Sequence, residues 1–483
     1  MKNNILTVMG SIVVCLFTIV LPTGTRAQSD SSGTLSLQQC VEIAHKNNLE
    51  LKQAELLAAS GQIDYKQAKN NLLPYLNGSV AHGLNQGRSI DPFSNSYLNQ
   101  NISYANYGLN AGVDVFSGLA ALNNIKQTRL SAEAGRLDVE QNKDMLTLNV
   151  INAYLQVLAA NDQLVQAQNQ ANLSQKQVER LSILNDEGNI PPSQLFDLKG
   201  QLAGDQVTLV NAQNQLESAR LTLTQLMNIP YSQSIHLERI TNDELLARFS
   251  GTPDSIYQLA LQELPLVKAA TIRKESAGFA LKAVRGQYWP SVSLNGGLYT
   301  NYSSAARTST LLSTSDQPTN QYVLTGGVKE PVYMPVSQYA ENKIGYGNQF
   351  KNNYNTNINL SVRVPIINYL STRNKVAKAK LEVENTHLVE NNAKIKLQQQ
   401  VEQAFMNMTA AYNRFNVLVQ QTEAFGESFR ITEARFNEGV VNSVDYLTAK
   451  NNLDRSNISL INAKYEYILR TKILNYYRHA PLW

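Results

Sequence analysis

Residues 354–364 read Tyr-Asn-Thr-Asn-Ile-Asn-Leu-Ser-Val-Arg-Val, and their alternation decides what kind of molecule this chain can be. Successive side chains of a strand point to opposite faces. Tyr354, Thr356, Ile358, Leu360, Val362 and Val364 therefore share one face, and Asn355, Asn357, Asn359, Ser361 and Arg363 the other. A second stretch sets Tyr107, Leu109, Ala111, Val113 and Val115 against Gly108, Asn110, Gly112 and Asp114. Two more segments, 75–84 and 291–302, alternate less regularly. Each follows a proline, Pro74 or Pro290, which suits a strand start but not a helix interior. Strands of about ten residues, apolar outside and polar inside, match a membrane β-barrel. Tyr75, Tyr288, Trp289 and Tyr299 are candidates for its interfacial aromatics. A half-buried soluble sheet is the other reading, and it fits poorly with the helices that flank these strands.

Those helices are long. Leu146, Val150, Ala153, Val157, Ala160, Leu164, Ala167, Ala171, Ser174, Val178 and Leu181 alternate spacings of four and three, the seam of a coiled coil. Residues 119–184 contain no proline, and as one helix they would span roughly 100 Å. Beyond a turn, Leu195, Leu202, Leu209, Leu216 and Leu223 recur every seventh position, with Asp205 interrupting the second apolar row. Leu397, Val401, Ala404, Met408, Ala411, Phe415 and Leu418 repeat the seam later, and Tyr446, Leu453, Leu460, Tyr467 and Leu474 repeat the return row. Ser36 followed by Gln39 predicts a capping box at the start of the first helix.

The recurrence is an internal duplication. A shift of 216 carries Ala44 onto Ala260, Lys52 onto Lys268 and Pro74 onto Pro290. A shift of 251 carries Ala153-Tyr154 onto Ala404-Phe405, and Glu187-Gly188 onto Glu438-Gly439. The offset grows between Pro290 and Val362, so the second copy holds the longer insertion. Each half reads helix, strand, loop, strand, very long helix, turn, return helix. The halves are 28–229 and 254–483, joined by 230–253.

Composition narrows the class. Of 483 residues, 43% are hydrophobic, enough to bury a core, and 17% are charged. A mean hydropathy of -0.28 excludes a polytopic helical membrane protein. Lys2, the uncharged run Ile5–Leu21, and Thr25-Arg26-Ala27 read as a secretory signal, 1–27, with an uncleaved anchor as the alternative. Without Lys2 and Arg26 the 42 basic residues fall to 40 against 38 acidic ones, which offers nothing to nucleic acid. Cys15 lies in the apolar run, so cleavage leaves Cys40 alone, with no intrachain disulfide and the look of a small apolar helix residue. His45, His82, His236, His387 and His479 lack ligand spacing, so no metal site or cofactor is expected. No nucleophile elbow, phosphate loop or dinucleotide fingerprint marks an enzyme.

Four strands cannot close a barrel, and an open sheet edge cannot lie in hydrocarbon. The chain must then oligomerise in a membrane. Two copies would give eight strands with a filled interior; three would give twelve with room for a channel.

At this point the chain resembles the TolC-type outer-membrane efflux family. The carrying residues are Leu35-Ser36-Leu37-Gln38-Gln39, the strand entries Leu73-Pro74 and Trp289-Pro290, and Arg435-Phe436-Asn437-Glu438-Gly439 followed by Asp445-Tyr446-Leu447-Thr448-Ala449. The ordered set recurs in two copies across the mature sequence. The resemblance implies a mainly α, internally duplicated chain with a small β part. It implies a homotrimer whose α-helical coiled-coil barrel continues into a twelve-stranded transmembrane β-barrel, four strands per chain. That assembly would sit in the lipid of the Gram-negative outer membrane and hang into the periplasm. It would dock on a periplasmic adaptor (membrane fusion) protein and an inner-membrane transporter. The expected function is a passive exit duct of a tripartite efflux or secretion system, with energy supplied by the partner. The competing reading is a periplasmic coiled-coil scaffold without a pore.

By the same resemblance the helix-to-helix turns, Gly188-Asn189-Ile190 and Gly439-Val440-Val441, form the tunnel tip and meet the adaptor. Turn chemistry alone also explains both glycines. Asp445 stands where the family often places an acid near the constriction, and three copies would form an anionic ring. It also suits the first turn of a helix. The first half departs from that pattern, with Gln194 at the equivalent position, Asp197 three further on, and Pro191-Pro192 stiffening the turn. Asp114 and Arg363 fall on polar strand faces, either paired across the lumen or separately solvated.

Overall fold

The computed structural model describes residues 34–91, 95–231, 235–240, 249 and 251–482. The expected signal segment and Cys15 lie outside the described residues, and the joining segment 230–253 lies partly outside them.

The first half runs α1 (Leu37–Asn47), α2 (Leu49–Asn70), β1 (Tyr75–Asn85), β2 (Arg88–Ile90), β3 (Tyr97–Asn99), β4 (Ile102–Ser117), α3 (Ala120–Asp186) and α4 (Pro192–Met227). The second runs α5 (Pro253–Glu263), α6 (Pro265–Gly286), β5 (Ser291–Ser303), β6 (Arg307–Thr325), β7 (Val328–Lys343), α7 (Tyr346–Asn352), β8 (Asn355–Arg363), α8 (Ser371–Asn437) and α9 (Ser443–Tyr477). Leu37 to Pro253 and Tyr75 to Ser291 repeat the offset of 216, and Ala120 to Ser371 and Pro192 to Ser443 the offset of 251.

Local chemistry sets the boundaries. The Ser36 hydroxyl accepts from Gln39 N at 3.3 Å, and the Gln39 side chain accepts from Ser36 N at 2.9 Å, closing the capping box. The first helix of each half is broken, a feature the periodicity does not reveal. Asn48 and Leu264 are extended, and the Asn48 side chain accepts from Leu51 N to start α2. The helices α2 and α6 also end before the prolines, at Asn70 and Gly286.

Two 67-residue helices, α3 and α8, form the long axis at roughly 100 Å each. The coiled-coil seam is their buried stripe: Val150, Ala153, Val157, Ala160 and Leu181 in α3, and Leu397, Val401, Met408 and Ala411 in α8. Midway, Leu35 joins the joining segment in one parallel bridge. The buried Tyr154 hydroxyl donates to Glu238 O there at 2.6 Å. Cys40 is buried in the same core, and desolvation pushes its thiol up to about 12, so it is an unreactive apolar residue.

The strands β1, β4, β5 and β8 form one antiparallel sheet in that order. The β4–β5 ladder joins the halves, and β1 and β8 remain as edges. Cross-strand partners share a face, so the register sorts the side chains. Leu76, Leu109, Leu294, Leu298, Ile358, Leu360 and Val362 share one side. Asn77, Asn110, Asn295, Asn357, Asn359 and Ser361 share the other. Tyr75 pairs with Gly112 and Tyr299 with Asn355, which puts both on the polar side. The expectation that they are outward interfacial aromatics is corrected: the weak alternation of β1 and β5 hid which face each tyrosine takes.

The segments read as loops, near 85–103 and 303–352, hold further structure. The first contains the β2–β3 ribbon, and the second the β6–β7 ribbon and α7. α7 lies on the apolar face, with Phe350 edge-on to Tyr107 at 5.5 Å and Tyr346 against Tyr302 at 4.6 Å. Each strand enters its long helix through two left-handed residues, Gly118-Leu119 and Tyr369-Leu370, related by the offset of 251.

Candidate tunnel tip and polar sheet face

The hairpin ends are built alike. Beyond α3, Asn189 N donates to Leu184 O and Gly188 N to Asn185 O; beyond α8, Val440 N donates to Arg435 O and Gly439 N to Phe436 O. Both are Schellman caps, which need a left-handed residue at the turn. Gly188 and Gly439 supply it, with φ of 73° and 72°. The candidate docking residues then divide. Asn189 and Val440 are exposed, whereas Ile190 and Val441 tuck against the tip core. That core holds Leu181, Leu198, Phe429 and Phe436, with the Tyr446 ring stacked on Phe436 at 4.6 Å. Around it Ile183, Phe196, Val440 and Val444 form an exposed apolar rim.

Asp445 sits in the first turn of α9, exposed, with its backbone N–H donating to the Asn442 side chain at 3.0 Å. At the start of α4 the N-cap is Pro191, which has no side chain for capping, and Gln194 N bonds to Pro191 O instead. Asp197 is exposed and accepts from the Ser443 hydroxyl at 3.0 Å, tying one return helix to the other. Arg180 ties the descending helices by donating to the side-chain and main-chain oxygens of Asn437.

One constellation escapes the sequence reading. Lys450, 1% exposed, donates to Asp205 at 2.9 Å and to Asp454 at 2.7 Å. Ser174 and Gln201 complete the shell of Asp205 at 2.5 and 2.9 Å. Burial raises the Asp454 pKa, and the Lys450 ammonium offsets only part of that rise. A signal was present: Lys450 lies between Tyr446 and Leu453 at four-three spacing, a core position, and Asp205 breaks the facing row.

On the sheet, Asp114 and Arg363 are exposed on the polar face. Asp114 pairs with Ser293 and Arg363 with Ser291, so β5 lies between them, and no ion pair joins them. Among the described residues no helix is long and apolar enough to cross a membrane, and no group of His, Cys, Asp or Glu could hold a metal ion.

Residues 40–228 and 256–472 match the family described as outer membrane efflux protein. The chain belongs to that family. Its members are channels of the outer membrane and not enzymes. As an outer membrane efflux protein, the chain is 22% identical to the outer membrane protein TolC of Vibrio cholerae, over 88% of this chain and 87% of that one. It is 25% identical to the pyoverdine export outer membrane protein OpmQ of Pseudomonas putida, over 65% and 66% of the two chains. Its fold is that of VceC, an outer membrane protein of Vibrio cholerae, with a TM-score of 0.72 at 14% identity over 92% of this chain and 97% of that one.

Proposed function

We propose that three copies of this chain form a passive exit duct for efflux across the outer membrane. The sheet carries the reading: one apolar face, one polar face, and two unpaired edges, β1 and β8. An unpaired edge in hydrocarbon leaves several backbone groups unsatisfied, each at a cost of several kcal/mol, and edge β8 of one copy meeting β1 of the next removes it. Twelve strands enclose a channel with the asparagine face inward. The signal 1–27 directs export, the repeats 28–229 and 254–483 each give half of the protomer, and 230–253 links them.

The helices of three copies continue the barrel as a tunnel into the periplasm. Its tip, Gly188, Asn189, Ile190, Gly439, Val440 and Val441, receives the periplasmic adaptor, which couples it to an inner-membrane transporter. Asn189 and Val440 make the direct contacts, because Ile190 and Val441 hold the tip core. Asp445 provides an acidic ring at the constriction, with Asp197 and Gln194 beside it from the other half. Asp114 and Arg363 are separate solvated lumen charges. Conductance of the purified protein in planar bilayers tests the duct. Discrete channel events are expected; a protein that never conducts supports the periplasmic scaffold instead.

A further inference from the structure

The polar face of the sheet carries three tyrosines, and each lies down over a glycine. A Cβ built on Gly112 would fall 2.7 Å from the Tyr75 ring, and one on Gly83 would fall 2.6 Å from the Tyr104 ring. One on Gly297 would fall 2.6 Å from Tyr299 Cζ. The Tyr299 hydroxyl donates to the Asn110 side chain and fixes that ring across the strands. A ring held against a glycine turns one face to the sheet and leaves the other to the lumen. Tyr75, Tyr299 and Tyr104 stand opposite Gly112, Gly108 and Gly83, at the levels of β4 residues 112, 108 and 104. Four residues of strand rise about 13 Å, so the rings form a ladder of even steps along the wall.

The surface between the rings is neutral. Asparagines face each other in pairs, Asn77 with Asn110, Asn106 with Asn301 and Asn295 with Asn359. Asp114 and Arg363 lie beyond the Tyr75 end. Among the described residues, the one carboxylate beside the ladder, Asp91 at the Tyr104 end, is 1% exposed and accepts from the Ser303 hydroxyl, so no charge is presented between the rings. Each amide supplies two donors and an acceptor. An apolar solute would strip their water and return nothing, at a penalty. A solute with apolar ring faces and hydroxyl edges satisfies both chemistries.

We propose that this face is a transit path for neutral sugar rings: the ring faces stack on Tyr75, Tyr299 and Tyr104 while their hydroxyls exchange hydrogen bonds with the asparagines. This rests on the reading of the polar face as a lumen. It specifies the cargo class that the lumen favours, a glycoside or short oligosaccharide.

The test is single-channel recording with a neutral linear oligosaccharide, maltohexaose, added from the outer side. Poly(ethylene glycol) of equal size is the control, since it has no rings. Maltohexaose is expected to cause resolvable transient blocks that the polymer does not. Tyr75→Ser, Tyr104→Ser and Tyr299→Ser should each weaken the block roughly 2- to 10-fold, the worth of one ring contact. Tyr75→Phe keeps the ring face and should keep the block, which separates stacking from a fold defect. Conducting channels that maltohexaose leaves unblocked, or block that survives all three serine variants, overturn the proposal. Block by a neutral planar aromatic but not by the sugar overturns the cargo assignment. Absence of any conductance instead defeats the duct reading itself, and this proposal with it.

Discussion

Lys450 of α9 holds its ammonium 2.9 Å from the Asp205 carboxylate of α4, with the two side chains 1% and 7% exposed. The contact joins the two halves of the duplication inside the helical bundle, with Ser174 and Gln201 also bonded to Asp205. Breaking a buried ion pair from one side is costly, because the remaining charge keeps its desolvation penalty without its partner.

Lys450→Met should therefore destabilise the protein by about 3–5 kcal/mol, since it strands Asp205 and Asp454 together. Asp205→Asn should cost less, because Lys450 keeps Asp454 at 2.7 Å. Thermal unfolding of the detergent-solubilised protein checks both; equal stability of Lys450→Met and the parent would refute the role given to the pair.

Two carboxyls on the long helices give opposite pH dependences. Hydrogen bonds from Lys274, then from Lys394, hold Glu390 down at about 2, below its ordinary 4.5. Its contribution is present above pH 4.5 and is lost as pH falls toward 2. Glu390→Gln should thus cost about 1–2 kcal/mol at pH 7 and little at pH 2, the half-exposed lysines being screened. Desolvation pushes Asp144 up to about 6, with Glu140 adding to the shift. Its charged form is disfavoured in the fold, so stability present below pH 4 declines as pH rises through 6. Asp144→Asn should stabilise by about 2 kcal/mol at pH 7 and leave pH 4 unchanged. Urea unfolding at the two pH values measures each sign.

Gly118 has φ of 61°, and a Cβ there would collide with the Gly286 carbonyl oxygen. Neither backbone can retreat without moving the junction of sheet and helix. Gly118→Ala should cost ~2–4 kcal/mol and sharply lower the amount of folded protein recovered from membranes. Normal recovery would show that the close approach is not required.

The sequence displayed regular features and concealed pairwise ones. The seam through Val150, Val157 and Leu181, the Ser36 cap and the offsets of 216 and 251 were all readable, because periodicity and capping are local. The break at Asn48 was not, since apolar spacing continues across it. The β6–β7 ribbon read as loop because Pro318, Pro331 and Pro335 and two register shifts interrupt its alternation. At the tip, the turn glycines were legible from their type and position. The bond between Ser443 and Asp197 was not: it joins residues 246 apart on different hairpins, and their equivalents, Pro192 and Thr448, cannot repeat it.

Asp445 separates two roles. Its backbone N–H is already capped by Asn442, so the carboxylate is not needed to close the first turn. Asp445→Asn should leave stability within about 0.5 kcal/mol, as an exposed first-turn acid contributes little. It should weaken cation preference and block by multivalent cations in bilayer recordings. An unchanged reversal potential would confine Asp445 to the helix end.

The most direct measurement is the mass of the protein extracted from outer membranes in mild detergent, by light scattering. Three chains per particle is the predicted result, because one chain leaves β1 and β8 open and cannot shield its own sheet. A stable monomer that stays in solution without detergent would contradict the account.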